Sequence, residues 1–384
     1  MIRPHRRSFL GGLCSCSLLG LAGCVTTGDQ GPITPGYKPA ADTDEGGLWY
    51  VMNKVEHDMQ SSRHRIRDKE LHGYLVDVVQ RLSKDYSHDM RVYLMRTPYF
   101  NASMAPNGMM TVWSGLLLRV DDEAQLAAIL GHEMGHYMRR HTLARIRDMR
   151  SKADVGAFLG GLGLVGGIAQ LTLLASNFAY ARDQEREADQ IGLELMSKAG
   201  YRPQSAADVW QQIIDESKAD KDAKSEAIMF ATHPTNEERL ETLRTKAAEI
   251  GTGGETFATR YHERIARIRF MLLDDEVRLH QYDRTLVVLK RLQGNQPGDG
   301  ELIYFEGEVY RLRDGDGDRK LASGCYERAI GTGSSPPQAW RSLGLVQMKD
   351  GKKQAAHQSF DTYLKLLPDA EDRIIIKSYM DKMA

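Results

Sequence analysis

His132 and His136 lie four residues apart in GHEMGHYMRRH, Gly131 to His141, and Glu133 directly follows the first histidine. On a helix this spacing puts both imidazoles on one face, one turn apart. Two imidazoles so placed can share a divalent cation such as Zn2+ at about 2.0–2.1 Å. Glu133 is offset around the helix, where it can take a proton from an attacking water as general base. The chemistry this pattern suits is metal-assisted hydrolysis. The competing reading is a polar helix stripe whose histidines bond to backbone or water.

A catalytic zinc takes three protein ligands and keeps one position open. One class of zinc peptidase draws the third ligand from the extended pattern HExxHxxGxxH. Here Arg139 stands where the glycine belongs and Thr142 where the last histidine belongs. His141 falls one residue early and reads as helix-end polarity. The other class uses a glutamate on a later helix, and RDQEREADQIG, Arg182 to Gly192, supplies Glu185. Asp189 lies one turn further on the same face. Glu185 is expected to bind the metal. Asp189 is expected to accept a hydrogen bond from a ligand imidazole and so fix its tautomer. Glu187 is expected to point elsewhere. A purely structural zinc site fits poorly, because such sites usually close with four Cys or His ligands.

NASMAPNGMMTVWSGLLL, HEMGH and EREAD, in this order, resemble the HtpX and CaaX-prenyl-protease superfamily of zinc metallopeptidases over roughly Leu48 to Ile250. The resemblance implies a gluzincin-type endopeptidase of polypeptides, with one Zn2+ per chain and Glu133 as general base. It also places a His-Pro and a later arginine near the metal, matched here by His233, Pro234 and Arg239 in THPTNEERL. By that likeness His233 fills the open metal position and holds the enzyme latent; otherwise it belongs to a helix-capping turn. Arg239 would stabilise the oxyanion or orient His233. Asn101 and Ala102 would lie on the edge strand onto which substrate adds as a β-strand.

Several elements must position these groups. RVYLMR, Arg91 to Arg96, alternates as a strand does. Asn101 to Ala105 and Met109 to Gly115 flank Pro106-Asn107-Gly108, a strong hairpin signal. Asp122 with Gln125 predicts a capping box, and Leu126, Ile129, Leu130 and Met134 follow helical spacing. From Val155 to Ala181 the chain is uncharged and rich in glycine. Its length alone would allow a membrane span. A single span would put the two histidines and Glu185 on opposite sides of a bilayer. Mobile helices roofing the cleft are expected instead, since glycine suits close packing and bending.

After a linker at Glu249 to Thr256 the chain reads as all-α over 257–384. A repeat of about 34 residues can be traced there. Trp340, Leu343, Gly344, Ala356, Phe360 and Pro368 fall at tetratricopeptide spacings, and Gly307, Tyr310, Tyr326 and Ala329 give a weaker copy. A third, degenerate copy covers His262 to Pro297. The alternative is an unrelated helical bundle. DGDGD, Asp314 to Asp318, lacks the full twelve-residue calcium loop and its closing glutamate, so it reads as an acidic turn. The fold expected is α+β: a mainly helical zinc domain with a small β-hairpin or sheet over 48–250, followed by an all-α repeat domain.

The first 23 residues read as a signal peptide, basic at Arg3, Arg6 and Arg7 and apolar from Phe9 to Ala22. LAGC, Leu21 to Cys24, resembles the lipobox of bacterial lipoproteins and implies lipidation of Cys24. RRSFLGG also resembles a twin-arginine export signal; alternatively the arginines simply supply n-region charge. Val25, where an aspartate would signal inner-membrane retention, favours the outer membrane. Residues 24–47 read as a lipidated flexible tether. The body of the chain holds only Cys325, so no intramolecular disulfide is expected. The 384 residues are 41% hydrophobic and 27% charged, which suits a globular protein, and the net charge of −1 gives no bulk case for nucleic acid.

Together these features describe a periplasmic metalloendopeptidase held by lipid to the inner leaflet of the outer membrane. The resemblance implies misfolded or unassembled outer-membrane proteins as substrates, and outer-membrane assembly machinery as a partner of the repeats. The alternative is a chaperone or assembly factor acting mainly by binding through its repeat domain.

Overall fold

A computed structural model describes residues 31–148, 180–219, 233 and 237–383. The segment read as a signal peptide, Cys24, Pro234 and all of the glycine-rich run except Tyr180 and Ala181 lie outside the described residues.

Strands β1 (Arg91–Met95), β2 (Ala102–Met104) and β3 (Met109–Trp113) form one sheet in the order β1-β3-β2. β1 runs parallel to β3, and β2 antiparallel to it. The β2–β3 hairpin turns through Asn107-Gly108, as the dipeptide predicts. Gly108 has φ +86°. A Cβ there would stand 2.0 Å from the Asp89 carbonyl oxygen, so the turn requires glycine. Asn107 is tied down as well, donating through Nδ2 to Asn53 and Glu56.

The helices before the sheet are α1 (Asp44–Ser61), α2 (Lys69–Leu82) and α3 (Lys84–Ser87). After it come α4 (Ser114–Arg119), α5 (Glu123–Met138) and α6 (His141–Asp148). Next are α7 (Arg182–Lys198), α8 (Ser205–Ala219) and α9 (Glu237–Ile250). Asp122 caps α5 by accepting from the Gln125 amide at 2.7 Å, and the Gln125 side chain reaches back to the Asp121 amide at 2.8 Å. The reach is one residue longer than in the ordinary box, where the cap residue's own amide is bonded. Every residue of α5 is buried, so this helix is the axis of the domain.

α5 packs directly on α7, and small residues set the distance between them. A Cβ on Gly135 would stand 2.9 Å from the Ala188 Cα, and one on Gly192 2.9 Å from the His132 nitrogen. Any larger residue at either glycine would push the helices apart. The glycines and alanine interleaved with HExxH and ExxxD are thus what brings His132 and His136 up to Glu185 and Asp189.

Residues 31–47 lie on the globule rather than forming tether. Ile33 is buried, its amide donates to the Met138 carbonyl at 2.8 Å, and Tyr86 donates to its carbonyl at 2.7 Å. Thr43 then caps α1. The Ile33 side chain packs into the main core, with Tyr37 against it, and the Gly36 amide donates to Asp89.

Beyond α9 the chain is helical: α10 (Ala258–Val277), α11 (Tyr282–Asn295), α12 (Gly300–Arg313), α13 (Asp318–Gly331), α14 (Gln338–Lys349), α15 (Lys353–Leu366) and α16 (Arg373–Met383). α12 packs on α13 and α14 on α15, each pair at a glycine. A Cβ on Gly307 would meet the Tyr326 ring at 2.6 Å, and one on Gly344 the Phe360 ring at 2.7 Å. The acidic turn closes on Asp318, which accepts from Arg313 and from the Gly315 amide. The main hydrophobic core runs without a break from α2 and α5 through α8 and α10 to Val346 on α14. No helix of the described residues is long and apolar enough to cross a membrane.

Candidate metal centre

Three helices and one connecting segment supply the site. α5 contributes His132, Glu133 and His136. α7 contributes Glu185 and Asp189, and α9 contributes Arg239. His233 arrives from the chain between α8 and α9. One ligand atom from each of His132, His136, Glu185 and His233 lies within 4.8 Å of the others, and all four residues are buried.

The separations are those of a coordination shell. His132 Nε2 stands 3.1 Å from His136 Nε2 and 3.1 Å from His233 Nδ1. Glu185 Oε1 stands 3.1 Å from His233 Nδ1 and 3.4 Å from His136 Nε2. A tetrahedron with bonds of about 2.0–2.1 Å has edges of roughly 3.3–3.4 Å. The protonation pattern points the same way. Asp189 Oδ1 lies 2.8 Å from His132 Nδ1, and a carboxylate only accepts, so that nitrogen carries the proton. In the neutral ring Nε2 is then a bare lone pair aimed into the cluster. Lone pairs gathered at such distances repel unless a cation lies among them. The residues present therefore fit a zinc ion.

Electrostatics prepare the donors. Burial pulls the His136 imidazole well below its ordinary range, which keeps it neutral and able to ligate. Burial raises Glu185, but the His233 ring beside it outweighs this and the carboxyl is held well below the usual range. Asp189 is likewise held down against burial by the Arg239 guanidinium. Burial pushes Glu133 the other way, upward. Its Oε1 is buried and accepts no hydrogen bond among the described residues, with His233 Nε2 3.4 Å away. An orphaned carboxylate oxygen beside the ligand cluster is what a general base requires.

Arg239 sits differently from the expectation of an oxyanion partner. It donates to Asp189 through Nε at 2.6 Å and Nη2 at 2.8 Å, and pairs with Glu185 at 2.5 Å. It is a clamp on both carboxylates, and its guanidinium lies 4.7 Å from the centre of the Trp210 ring. Asn101 and Ala102 are buried. Their strand is the outer strand of the sheet. The register pairs Asn101, Ser103 and Ala105 with β3 through hydrogen bonds, so Ala102 and Met104 aim their backbone groups away from it. The Met104 amide is bonded to Glu133.

One of these sequence readings is corrected here. His141 is not helix-end polarity: it is buried, with Nδ1 2.9 Å from His136 Nδ1. Glu187 does turn away from the metal and is half-exposed, but its Oε2 lies 3.1 Å from His141 Nε2. Spacing along α7 does turn Glu187 away from Glu185, but α6 brings His141 round to meet it. Tyr180 and Trp210 join the site without any sequence signal. Tyr180 stacks on His136 with ring centroids 3.9 Å apart, and Trp210 meets His132 edge-on at 6.1 Å. No motif marks either residue, and only the tertiary fold brings them in.

Residues 65–247 match the model of Peptidase family M48. The chain is similar to mitochondrial metalloendopeptidase OMA1 of Schizosaccharomyces pombe, 33% identical over 178 residues that cover 45% of this chain and 50% of the relative. It is similar to the beta-barrel assembly-enhancing protease of Escherichia coli, 24% identical over 248 residues that cover 57% of this chain and 50% of the relative. The protein of that name from Yersinia pestis is 27% identical over 208 residues, covering 50% of this chain and 42% of the relative. The chain spans about half the length of the curated relatives it matches. The family match reaches from before the sheet to beyond Arg239 and so encloses the whole cluster; the match and the four-donor site together support a zinc metallopeptidase domain similar to that of peptidase family M48.

Proposed function

We propose that this chain is a zinc metalloendopeptidase of the bacterial cell envelope that cleaves misfolded or unassembled outer-membrane polypeptides. The observation that carries the reading is the convergence of four donor atoms beside Glu133, whose Oε1 has no hydrogen-bond partner among the described residues. His132, His136 and Glu185 would hold the zinc, with His233 in the fourth position. When bound, zinc supplies Lewis acidity that lowers the pKa of water towards about 7 and polarises a peptide carbonyl. Glu133 Oε1 takes the proton from the attacking water and passes it to the departing amine. Asp189 holds the His132 ring in its tautomer, and Arg239 holds Asp189. Substrate would add as a strand along β2, the outer strand of the sheet next to Glu133, a backbone-led mode tolerant of sequence.

The export segment, the lipobox resemblance at Cys24 and the relatives named for β-barrel assembly support the envelope setting and the substrate class. The glycine-to-ring packing of Gly307 on Tyr326 and Gly344 on Phe360 supports tetratricopeptide-like repeats that hold a partner of the assembly machinery. The test is metal removal. The purified full chain should hold one zinc, lose casein hydrolysis to a chelator and regain it with added zinc. Hydrolysis that survives complete metal removal, or a chain that takes up no zinc, defeats the proposal.

A second reading, binding without cleavage, is favoured by one observation: all four corners of the shell are filled by protein and buried. His233 then acts as a latch, and the chain works as a chaperone until it leaves. His233→Ala should raise basal hydrolysis by roughly tenfold if the latched form outnumbers the open one by that ratio. Basal hydrolysis at the wild-type rate, with zinc affinity also unchanged, removes the latch.

A further inference from the structure

His136 has an outer neighbour of its own. Its Nδ1 lies 2.9 Å from His141 Nδ1, and His141 Nε2 lies 3.1 Å from Glu187 Oε2. Arg139 Nε holds the other oxygen of Glu187 at 2.9 Å. The carboxylate only accepts, so His141 Nε2 carries its proton. His141 Nδ1 is then the bare nitrogen and accepts from His136 Nδ1–H. This fixes His136 with its Nε2 lone pair facing the cluster.

The backbone is bent to make this contact. Arg140, between α5 and α6, has φ +54°, in the left-handed region that a non-glycine residue adopts only at a cost. The bend turns the first residue of α6 back towards the last turn of α5. The Arg140 guanidinium is held 4.3 Å over the Tyr37 ring, and its side chain is buried. His141 itself is buried, and a buried imidazole needs partners for both nitrogens. It has them in His136 and Glu187.

We infer that His141 and Glu187 are positioning residues that set the tautomer and orientation of His136 as a metal ligand; this rests on the zinc reading above. They do for His136 what Asp189 and Arg239 do for His132. The outer contacts of both α5 imidazoles end in a carboxylate gripped by an arginine. On the His132 side the carboxylate is in direct contact and buried, whereas on the His136 side it is one ring removed and half-exposed. The effects should be graded accordingly, with His141 mattering more than Glu187.

The test uses the full chain and zinc itself, with affinity read by chelator competition and ligand geometry by the visible spectrum of the cobalt-substituted protein. His141→Phe removes both ring nitrogens at similar volume. It should weaken zinc binding by roughly 10- to 100-fold. It should also alter the cobalt spectrum, and at saturating zinc lower kcat with KM little changed. His141→Gln returns an acceptor for His136 Nδ1–H and should recover much of the affinity. Glu187→Leu, at a half-exposed position that tolerates replacement, should weaken zinc binding several-fold and keeps the test open if His141→Phe does not fold. Wild-type zinc affinity and cobalt spectrum in Glu187→Leu, or in a folded His141→Phe, overturn the inference. A wild-type chain that binds no zinc defeats the peptidase reading instead, so the two failures are distinct.

Discussion

Glu133→Gln is expected to cut peptide hydrolysis by roughly 10²- to 10⁴-fold while the zinc content stays at that of the wild type. The carboxylate is not among the four donors, so its loss leaves the shell intact. Glutamine has the same shape and keeps an oxygen to accept from the Met104 amide. What it lacks is the capacity to take and return a proton. Stability should move the other way. Burial raises the Glu133 carboxyl in the folded chain, so the folded state binds its proton more tightly than the unfolded state does. Stability from this group therefore falls as pH rises from the ordinary carboxylate value through the raised one, and the ionised form is a burden at neutral pH. Metal-free Glu133→Gln should melt at or above the wild-type temperature at pH 7. Casein hydrolysis near the wild-type rate in zinc-loaded Glu133→Gln would end the general-base assignment. Full rescue of a deletion by the inactive variant would favour the binding reading.

Much of the site can be read along the chain because helical spacing carries it. His132 and His136 share a face by arithmetic alone, and so do Glu185 and Asp189. Asn107-Gly108 marks the hairpin because few dipeptides accept its backbone angles. His233 and Arg239 are legible only through resemblance, since a ligand from an irregular segment has no period to betray it. His141 and Glu187 escape for another reason. Their contact depends on a left-handed residue at Arg140, a conformation that arginine does not advertise. Helical spacing correctly turns Glu187 away from the metal, but says nothing of a ring returning from the next helix. The small residues Gly131, Gly135, Ala188 and Gly192 are visible as letters. Their role as a shared spacer shows only when α5 and α7 are seen together.

The buried ion cluster around Arg119 is equally hidden, and its loss should be the largest effect on stability. Arg119 ends α4 and is fully buried. It donates to Glu216 on α8 at 2.8 Å and to both oxygens of Glu276 on α10 at 2.8 and 2.9 Å. Against burial, the two carboxylates raise its pKa further. Arg119→Met keeps the apolar bulk but leaves two buried carboxylates without their main cation. Breaking such a cluster from one side costs about 3–5 kcal/mol. Glu216 retains Arg291 at 3.5 Å, so Glu276 is the more exposed to the loss. Adding Glu276→Gln to Arg119→Met should therefore restore much of the stability, because the penalty lies in the stranded charge rather than in the missing bond. The cluster also bears on the metal. α8 carries Glu216 at one turn and Trp210 nearly two turns earlier, and Trp210 packs on His132 and Arg239. Through that one helix the α10 contact and the metal centre share a support. Thermal unfolding of Arg119→Met should thus begin well below that of the wild type, with zinc binding weakened in the same variant and recovered in the double one. A single variant that melts at the wild-type temperature would show that the cluster does not hold the two regions together.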